Sequence, residues 1–341
     1  MTTSTDDRAI LSQVSPQPRG IGAMLRRALF GISPQETSFT RRGFRVSPGV
    51  DAGSVRERLE QVGRCFVQGY HAALDDDRPL PLAARIDAEV ARDFRGFAYE
   101  GAGMALALLD ALIPGRRDRL ARFLAGPGSA QTYIVHVGAG WVLGRLPVSP
   151  ERLLARFGDP VLRWLALDGY GFHEGFFHWP RSVGGQKVPP KVRGYARRGF
   201  DQGLGRSLWF VDGADVERLP LTIGTFAPER QGDLWSGAGL ACGYAGGRPR
   251  ADVEELRRAA GPYVPQLAQG VAFAAKARER AGNVTAYTTL ACQVICGTTA
   301  AGAAAVTDEA RRGLPDDRPG EPAFEVWRQR IQDHFSREVN R

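Results

Sequence analysis

Small, apolar and polar positions recur along this chain in a register set by glycine. The register first reads Gln68-Gly69-Tyr70-His71-Ala72-Ala73. It returns as Glu100-Gly101-Ala102-Gly103-Met104-Ala105, Val137-Gly138-Ala139-Gly140-Trp141-Val142 and Asp168-Gly169-Tyr170-Gly171-Phe172-His173. Three more copies follow: Gln202-Gly203-Leu204-Gly205-Arg206-Ser207, Ser236-Gly237-Ala238-Gly239-Leu240-Ala241 and Gln269-Gly270-Val271-Ala272-Phe273-Ala274. Successive anchor glycines are 32, 37, 31, 34, 34 and 33 residues apart. A period near 34 residues is how pairs of packed helices look in sequence. The pattern therefore predicts an all-α chain of helical-hairpin repeats, arranged as an α-solenoid or an α/α toroid.

Glycine inside a helix costs about 1 kcal/mol relative to alanine, so seven recurrences need a compensating gain. Close helix packing supplies one. The anchor glycine and the residue four later (Ala73, Ala105, Val142, His173, Ser207, Ala241, Ala274) share a helix face, and His173 is the large polar exception among them. The residue before each anchor is polar in six of seven copies (Gln68, Glu100, Asp168, Gln202, Ser236, Gln269). That row is read either as the lining of a groove or cavity or as a solvated helix edge. Three copies extend to G-x-G-x-x-x-G, ending at Gly144, Gly175 and Gly243.

Outside the repeats the text changes. Residues 1–20 are polar and read as a mobile tail. Residues 21–50 read as an N-terminal cap over the open end of the first repeat, with a short helix ending at Gly31 and short strands around residues 37–40 and 44–46. The helical-repeat domain is placed at 51–312. Within it, residues 180–193 break the pattern with Gly184-Gly185 and Pro189-Pro190, as a lid or interaction loop would, and residues 287–305 read as one further buried helix. Residues 313–341 are a linker and a docking helix, with Phe324, Trp327, Ile331 and Phe335 at helical spacing.

Composition narrows the function classes. Lys plus Arg number 45 against 37 Asp plus Glu, a net charge of +8, and the sequence pI is about 9.7. The arginines are interspersed with acids, however, and no dense basic run with interleaved aromatics is present, so nucleic-acid binding is not expected. Four cysteines in apolar contexts make no disulfide framework. No signal-peptide pattern opens the chain and no stretch reaches the roughly 18 apolar residues of a membrane span; the reading is a cytoplasmic protein.

The best concentration of proton-transfer groups is Asp168, His173, Glu174 and His178, set among Phe172, Phe176, Phe177 and Trp179. These four are the candidate catalytic residues, since imidazoles titrate near neutrality and burial would push a carboxylate's pKa upward. On a continuous helix His173 and His178 stand about 140° apart, so the two would not share a metal without a kink. This is also not H-E-x-x-H. Neither a metal nor a cofactor is expected, because the glycine motifs lack the spacing of a dinucleotide fingerprint. Glu100, His136, Trp141, Phe172, Asp201, Arg206 and Trp235 are the candidate substrate-binding residues, with a core role open for each apolar or lone histidine position. Asp75-Asp76-Asp77 reads as a loop before Pro79 or as half of a magnesium–diphosphate site.

Residues 97–107, 135–141, 165–179, 200–213 and 233–243, above all the run Gly171-Phe172-His173-Glu174-Gly175-Phe176-Phe177-His178-Trp179, resemble the UnbL-type family of enediyne polyketide gene clusters in actinobacteria. The resemblance spans about residues 26–297. It implies a place in enediyne antibiotic biosynthesis, beside the polyketide synthase that supplies a linear polyene, and carries no established reaction. Three functions follow as expectations. The first is a protein that binds a hydrophobic polyene or enediyne precursor and assists its maturation by acid–base catalysis. The second is a non-catalytic helical scaffold for other pathway proteins, and the third a magnesium-dependent isoprenoid cyclase.

Overall fold

A computed structural model of the chain describes residues 20–46, 52–115 and 117–339. The helices, in chain order, are α1 (Ile21–Phe30), α2 (Phe39–Arg42), α3 (Ala52–Asp75), α4 (Pro79–Glu89), α5 (Arg95–Leu112) and α6 (Arg119–Ala125). Then come α7 (Thr132–Gly140), α8 (Val142–Arg145), α9 (Pro150–Leu154), α10 (Leu165–Phe177), α11 (Ala196–Val211) and α12 (Arg218–Gly224). The last are α13 (Pro228–Tyr244), α14 (Arg250–Ala260), α15 (Val264–Arg280), α16 (Ala286–Ala291), α17 (Ala300–Arg311) and α18 (Ala323–Val339). Among the described residues there is no strand, only a single bridge between Arg318 and Glu321. The chain is all-α. No single helix among the described residues is long and apolar enough to cross a membrane.

The glycine-bearing helices are buried nearly all round; α5 is buried from Gly96 to Asp110 and α10 from Leu165 to Phe176. They pack in chain order, α3 on α5, α5 on α7, α7 on α10, α10 on α11, α11 on α13 and α13 on α15. Glycine permits the contact. A Cβ on Gly138 would stand 1.9 Å from the Glu100 carbonyl oxygen of the helix before, and one on Gly140 1.8 Å from the Ala166 carbonyl oxygen of the helix after. Gly169 and Gly171 divide the work in the same way between Val137 and Phe200, as do Gly203 and Gly205 between Asp168 and Leu234. Two residues are about 200° apart on a helix, so a Gly-x-Gly pair opens both flanks of one helix at one height. The third glycine of the longer motif faces a side chain instead: Gly144 faces the His173 ring, Gly175 the Ser207 hydroxyl and Gly243 the Ala274 methyl. Neighbouring helices run in the same direction in α10 and α11, where Asp168 meets Gln202, Gly175 meets Ser207 and Phe176 meets Phe210 in ascending order.

Three sequence expectations are corrected. The strands of the N-terminal cap do not form: Pro34–Thr37 is a 3-10 turn and α2 a helical turn, because the Ser33 and Ser38 hydroxyls accept from Gln35 N and Arg41 N, and Gly43 closes α2 at φ 64°. The cap also reaches beyond the first repeat. Phe44 lies edge-on to Phe176 with centroids 4.9 Å apart, Arg45 N donates to Val211 O (2.8 Å), and Trp179 Nε1 donates to Arg42 O (2.9 Å). The segment 287–305 breaks into α16, a π turn over Cys292–Cys296 and α17, since Gly297 turns left-handed at φ 66° and Thr299 caps the next helix.

Residues 180–193 form a strap whose Ser182, Val183 and Val192 are buried. Lys191 pins it by donating to the carbonyls of Leu143 in α8 (2.5 Å) and of Val148 just after it (3.2 Å). At the far end α18 packs on α15 and α17 and buries Phe324, Trp327, Ile331 and Phe335. The expected tail lies, but for Gly20, outside the described residues.

Candidate functional site

Helix α10 delivers its polar side chains to two separate places. Asp168 turns into the molecule, where Gln202 Nε2 donates to it at 2.9 Å and Arg206 Nε lies 2.9 Å away. His173 and Glu174 emerge near the end of the helix. There α10 stops at Phe177, and His178 takes φ −126°, ψ 31° while its amide still donates to Glu174 O (2.9 Å). His178 has left the helical path, so the 140° separation expected of a straight helix does not apply. One ligand atom each from His173, Glu174 and His178 lie within 4.8 Å of one another. Glu174 is central: Oε1 is 3.2 Å from His173 Nδ1 and Oε2 is 3.4 Å from His178 Nδ1.

The charges follow from this packing. Burial alone would raise the Glu174 pKa, as the sequence leads one to expect. The hydrogen bond from His173 and the charges of His173, His178 and Arg181 outweigh it, and Glu174 is held below the ordinary carboxylate value. Burial lowers the pKa of His173, against the pull of Glu174, and its Nδ1–H donates to Glu174 Oε1. Its Nε2 is buried without a partner. The arrangement gives an ionised carboxylate between two imidazoles, a base rather than the neutral acid that desolvation alone would produce.

His173 and His178 line a cleft of about 530 Å³ between the N-terminal cap and α8, together with Gly31, Glu36, Arg42, Gly144 and Arg145, and Glu174 is buried behind the two imidazoles. Gly144 is required here, because a Cβ would come within 2.1 Å of His173 Nδ1. The guanidinium groups of Arg42 and Arg145 lie over the Phe177 ring at 5.4 and 5.1 Å, and Arg42 pairs with Glu36.

Four of the candidate binding residues converge elsewhere, on a narrow apolar cavity of about 30 Å³ walled by α3, α5, α10, α11 and α13. Trp141 Nε1 donates to Glu100 Oε1 (3.1 Å), both terminal nitrogens of Arg206 reach the same oxygen (3.3 Å), and the Arg206 guanidinium covers Phe172 at 4.3 Å. Burial raises the Glu100 pKa and Arg206 opposes it. The space suits about one water molecule. His136, Asp201 and Trp235 are not part of either site. His136 stacks on Phe157 at 4.5 Å with Nδ1 2.7 Å from Thr132 O, Asp201 is paired with Arg230 at 2.5 Å, and Trp235 is buried in the core.

The aspartate run is neutralised by arginines. Asp75 pairs with Arg27 and Arg85, Asp76 with Arg78, and Asp77 with Arg26 and Arg119. Sequence reasoning overlooked Arg42, Arg145 and Tyr244. The ring of Tyr244 walls the cavity beneath the Arg278 guanidinium, 4.0 Å away. Arg145 alone carried a local signal, as the residue following the third glycine of its motif.

No curated protein and no solved structure matches the chain. The model of a family described as Protein of unknown function (DUF1702) matches residues 21–335, which include every residue of both sites. The chain belongs to the DUF1702 family.

Proposed function

We propose that this is a cytoplasmic protein of enediyne biosynthesis that binds a hydrophobic polyene or enediyne precursor and assists its maturation by acid–base chemistry at Glu174, His173 and His178. The observation that carries the reading is a pair of imidazoles, His173 and His178, that line an open cleft and are both backed by the buried Glu174 carboxylate. His178, about half exposed and backed by the Glu174 carboxylate, is placed to take a proton from an activated carbon or hydroxyl of a substrate in the cleft. Phe177, with the guanidinium groups of Arg42 and Arg145 over its ring, gives the cleft a mixed aromatic and cationic lining that suits an unsaturated chain bearing a polar or anionic group. The ~30 Å³ central cavity has no room for a polyene, so the precursor binds at the cleft rather than among the central helices. We read the glycine-bearing helices as a helical-repeat array, solenoid or toroid, with the cleft beside the C-terminal end of α10.

The test is production in a strain lacking the gene, complemented with wild type, Glu174→Gln or His173→Ala at equal protein abundance. Loss of product with accumulation of a precursor is the expected result for both variants. Full production by both would overturn the reading. One observation favours a second, non-catalytic role as a scaffold for another pathway protein: Ile21, Met24, Leu25 and Leu29 form an exposed apolar stripe on α1. Under that role both variants produce normally and substitution of the stripe does not. The cyclase reading loses its basis, because arginines occupy the three aspartates.

A further inference from the structure

We infer that His173, Glu174 and His178 bind one divalent transition-metal ion, with the remaining coordination positions open to the cleft. The three donors gather without help from another element, because His178 turns off the end of α10 and Gly144 leaves space for the His173 ring. Metal–ligand distances of about 2.0–2.2 Å set neighbouring donors about 3.3 Å apart in a tetrahedral shell. The two separations to Glu174 oxygens, 3.2 and 3.4 Å, are already of that size. The third pair closes from no more than 4.8 Å by rotation of the exposed His178.

Two imidazoles and one carboxylate with open positions suit iron(II), cobalt(II) or zinc(II) better than magnesium or calcium, which favour all-oxygen shells. Ligation through His173 Nδ1 puts the ring proton on Nε2 and replaces the hydrogen bond to Glu174 by a metal–nitrogen bond. A dication beside one carboxylate leaves the site net positive, and Arg145 stands on the same cleft. An anionic oxygen, from hydroxide or from a substrate carboxylate or enolate, therefore completes the shell.

This inference uses the residues of the proposed function but does not depend on its reaction. The test is titration of the chelator-treated full-length protein with cobalt(II) alone, followed by visible ligand-field absorption and calorimetry. One ion per chain is expected. Glu174→Gln and His178→Ala should each weaken binding by more than about tenfold, while His334→Ala, on α18, leaves it unchanged. His178 is half exposed, so its variant is expected to fold, and far-ultraviolet circular dichroism checks this. Absence of binding, or binding that neither variant weakens, overturns the metal site. It would leave the acid–base reading standing, since that reading is decided by product formation in the complemented strain.

Discussion

A methyl group is the smallest side chain an L-residue can carry, and at Gly138 there is no space for one. Its Cβ would lie 1.9 Å from the Glu100 carbonyl oxygen, which belongs to a neighbouring backbone and cannot rotate away. Gly138→Ala therefore sets two effects against each other. Helix propensity favours alanine by about 1 kcal/mol, while overpacking that moves a backbone costs about 1–3 kcal/mol and forces α5 and α7 apart. Separation of a pair this tight also loosens the contacts of Trp141 with Glu100, so overpacking wins. We expect Gly138→Ala to lower unfolding free energy by roughly 2 kcal/mol in a urea titration. Gly22, in α1 with nothing within 4 Å of its Cβ position, is the control. There alanine should be neutral or stabilising by less than about 1 kcal/mol. An equal response at the two sites would mean that backbone proximity is not what the recurrent glycines provide.

The N-terminal cap shows how one element is fastened to another and how acid would release it. Ile32 N donates to His71 Nε2 (3.2 Å) and Tyr70 Oη donates to Phe30 O (2.9 Å), both tying the cap to α3. Burial, followed by the charge of Arg27, lowers the His71 pKa from 6.5 to about 4. The folded protein thus prefers the neutral ring. Stability from this source is fully present above pH 6.5 and is lost as pH falls from about 6.5 to about 4, when the unfolded chain binds the proton first. With a discount for partial solvent screening the loss is roughly 2 kcal/mol. Hydrogen-exchange protection factors, which are corrected for the slower intrinsic exchange in acid, should fall at residues 21–33 between pH 7 and pH 5 more than in α13. His71→Gln, which can still accept from Ile32, should flatten that difference, and an unchanged pH response in this variant would shift the cause to the other buried histidines. Elements of this kind were only partly legible in the sequence. The glycine period located the central helices, because close packing imposes a composition that repeats. Gly31 marked the end of α1 for a local reason as well. The helical turn capped by Ser38 reads as a strand in the sequence, since a short serine cap competes with β-forming Thr and Phe over too few residues for periodicity to decide. His173 and Glu174 stood out as titratable groups in an apolar run, but their union with His178 depends on where α10 stops. The cleft wall of Arg42 and Arg145 depends on contacts across more than a hundred residues, which no local pattern records.

Across the whole molecule, the polar row beside the anchor glycines becomes a buried chain of hydrogen bonds and ion pairs. Arg328 Nε on α18 donates to Gln269 Oε1 (3.4 Å), to which Ser236 Oγ also donates (2.8 Å); Ser236 Oγ lies 3.1 Å from Gln202 Oε1. Gln202 donates to Asp168, Arg206 joins Asp168 to Glu100, and Trp141 completes the series on the Glu100 carboxylate. Every one of these residues is buried, so from Glu100 onward the row is not a solvated edge; Glu100 lines the narrow cavity, and Gln68, half-buried, stands outside the chain of contacts. Desolvation costs each charge several kcal/mol, and the chain persists only because each charge has a partner. Arg206 is the point at which this can be tested, for it is a cation held between two buried carboxylates, Asp168 and Glu100. Arg206→Met leaves Asp168 and Glu100, both already pulled upward by burial against its attraction, without compensation. The expected loss is about 3–5 kcal/mol, read from denaturant titrations followed in parallel by tryptophan fluorescence and circular dichroism to establish a single transition. Adding Asp168→Asn and Glu100→Gln removes the uncompensated charge while keeping hydrogen-bonding shape, and should restore more than half of that loss. Restoration would show that electrostatic balance, rather than the volume of one arginine, holds the successive helices in register. A triple variant no more stable than Arg206→Met would assign the loss to the space Arg206 fills over Phe172, and with it the order of the central helices to packing alone.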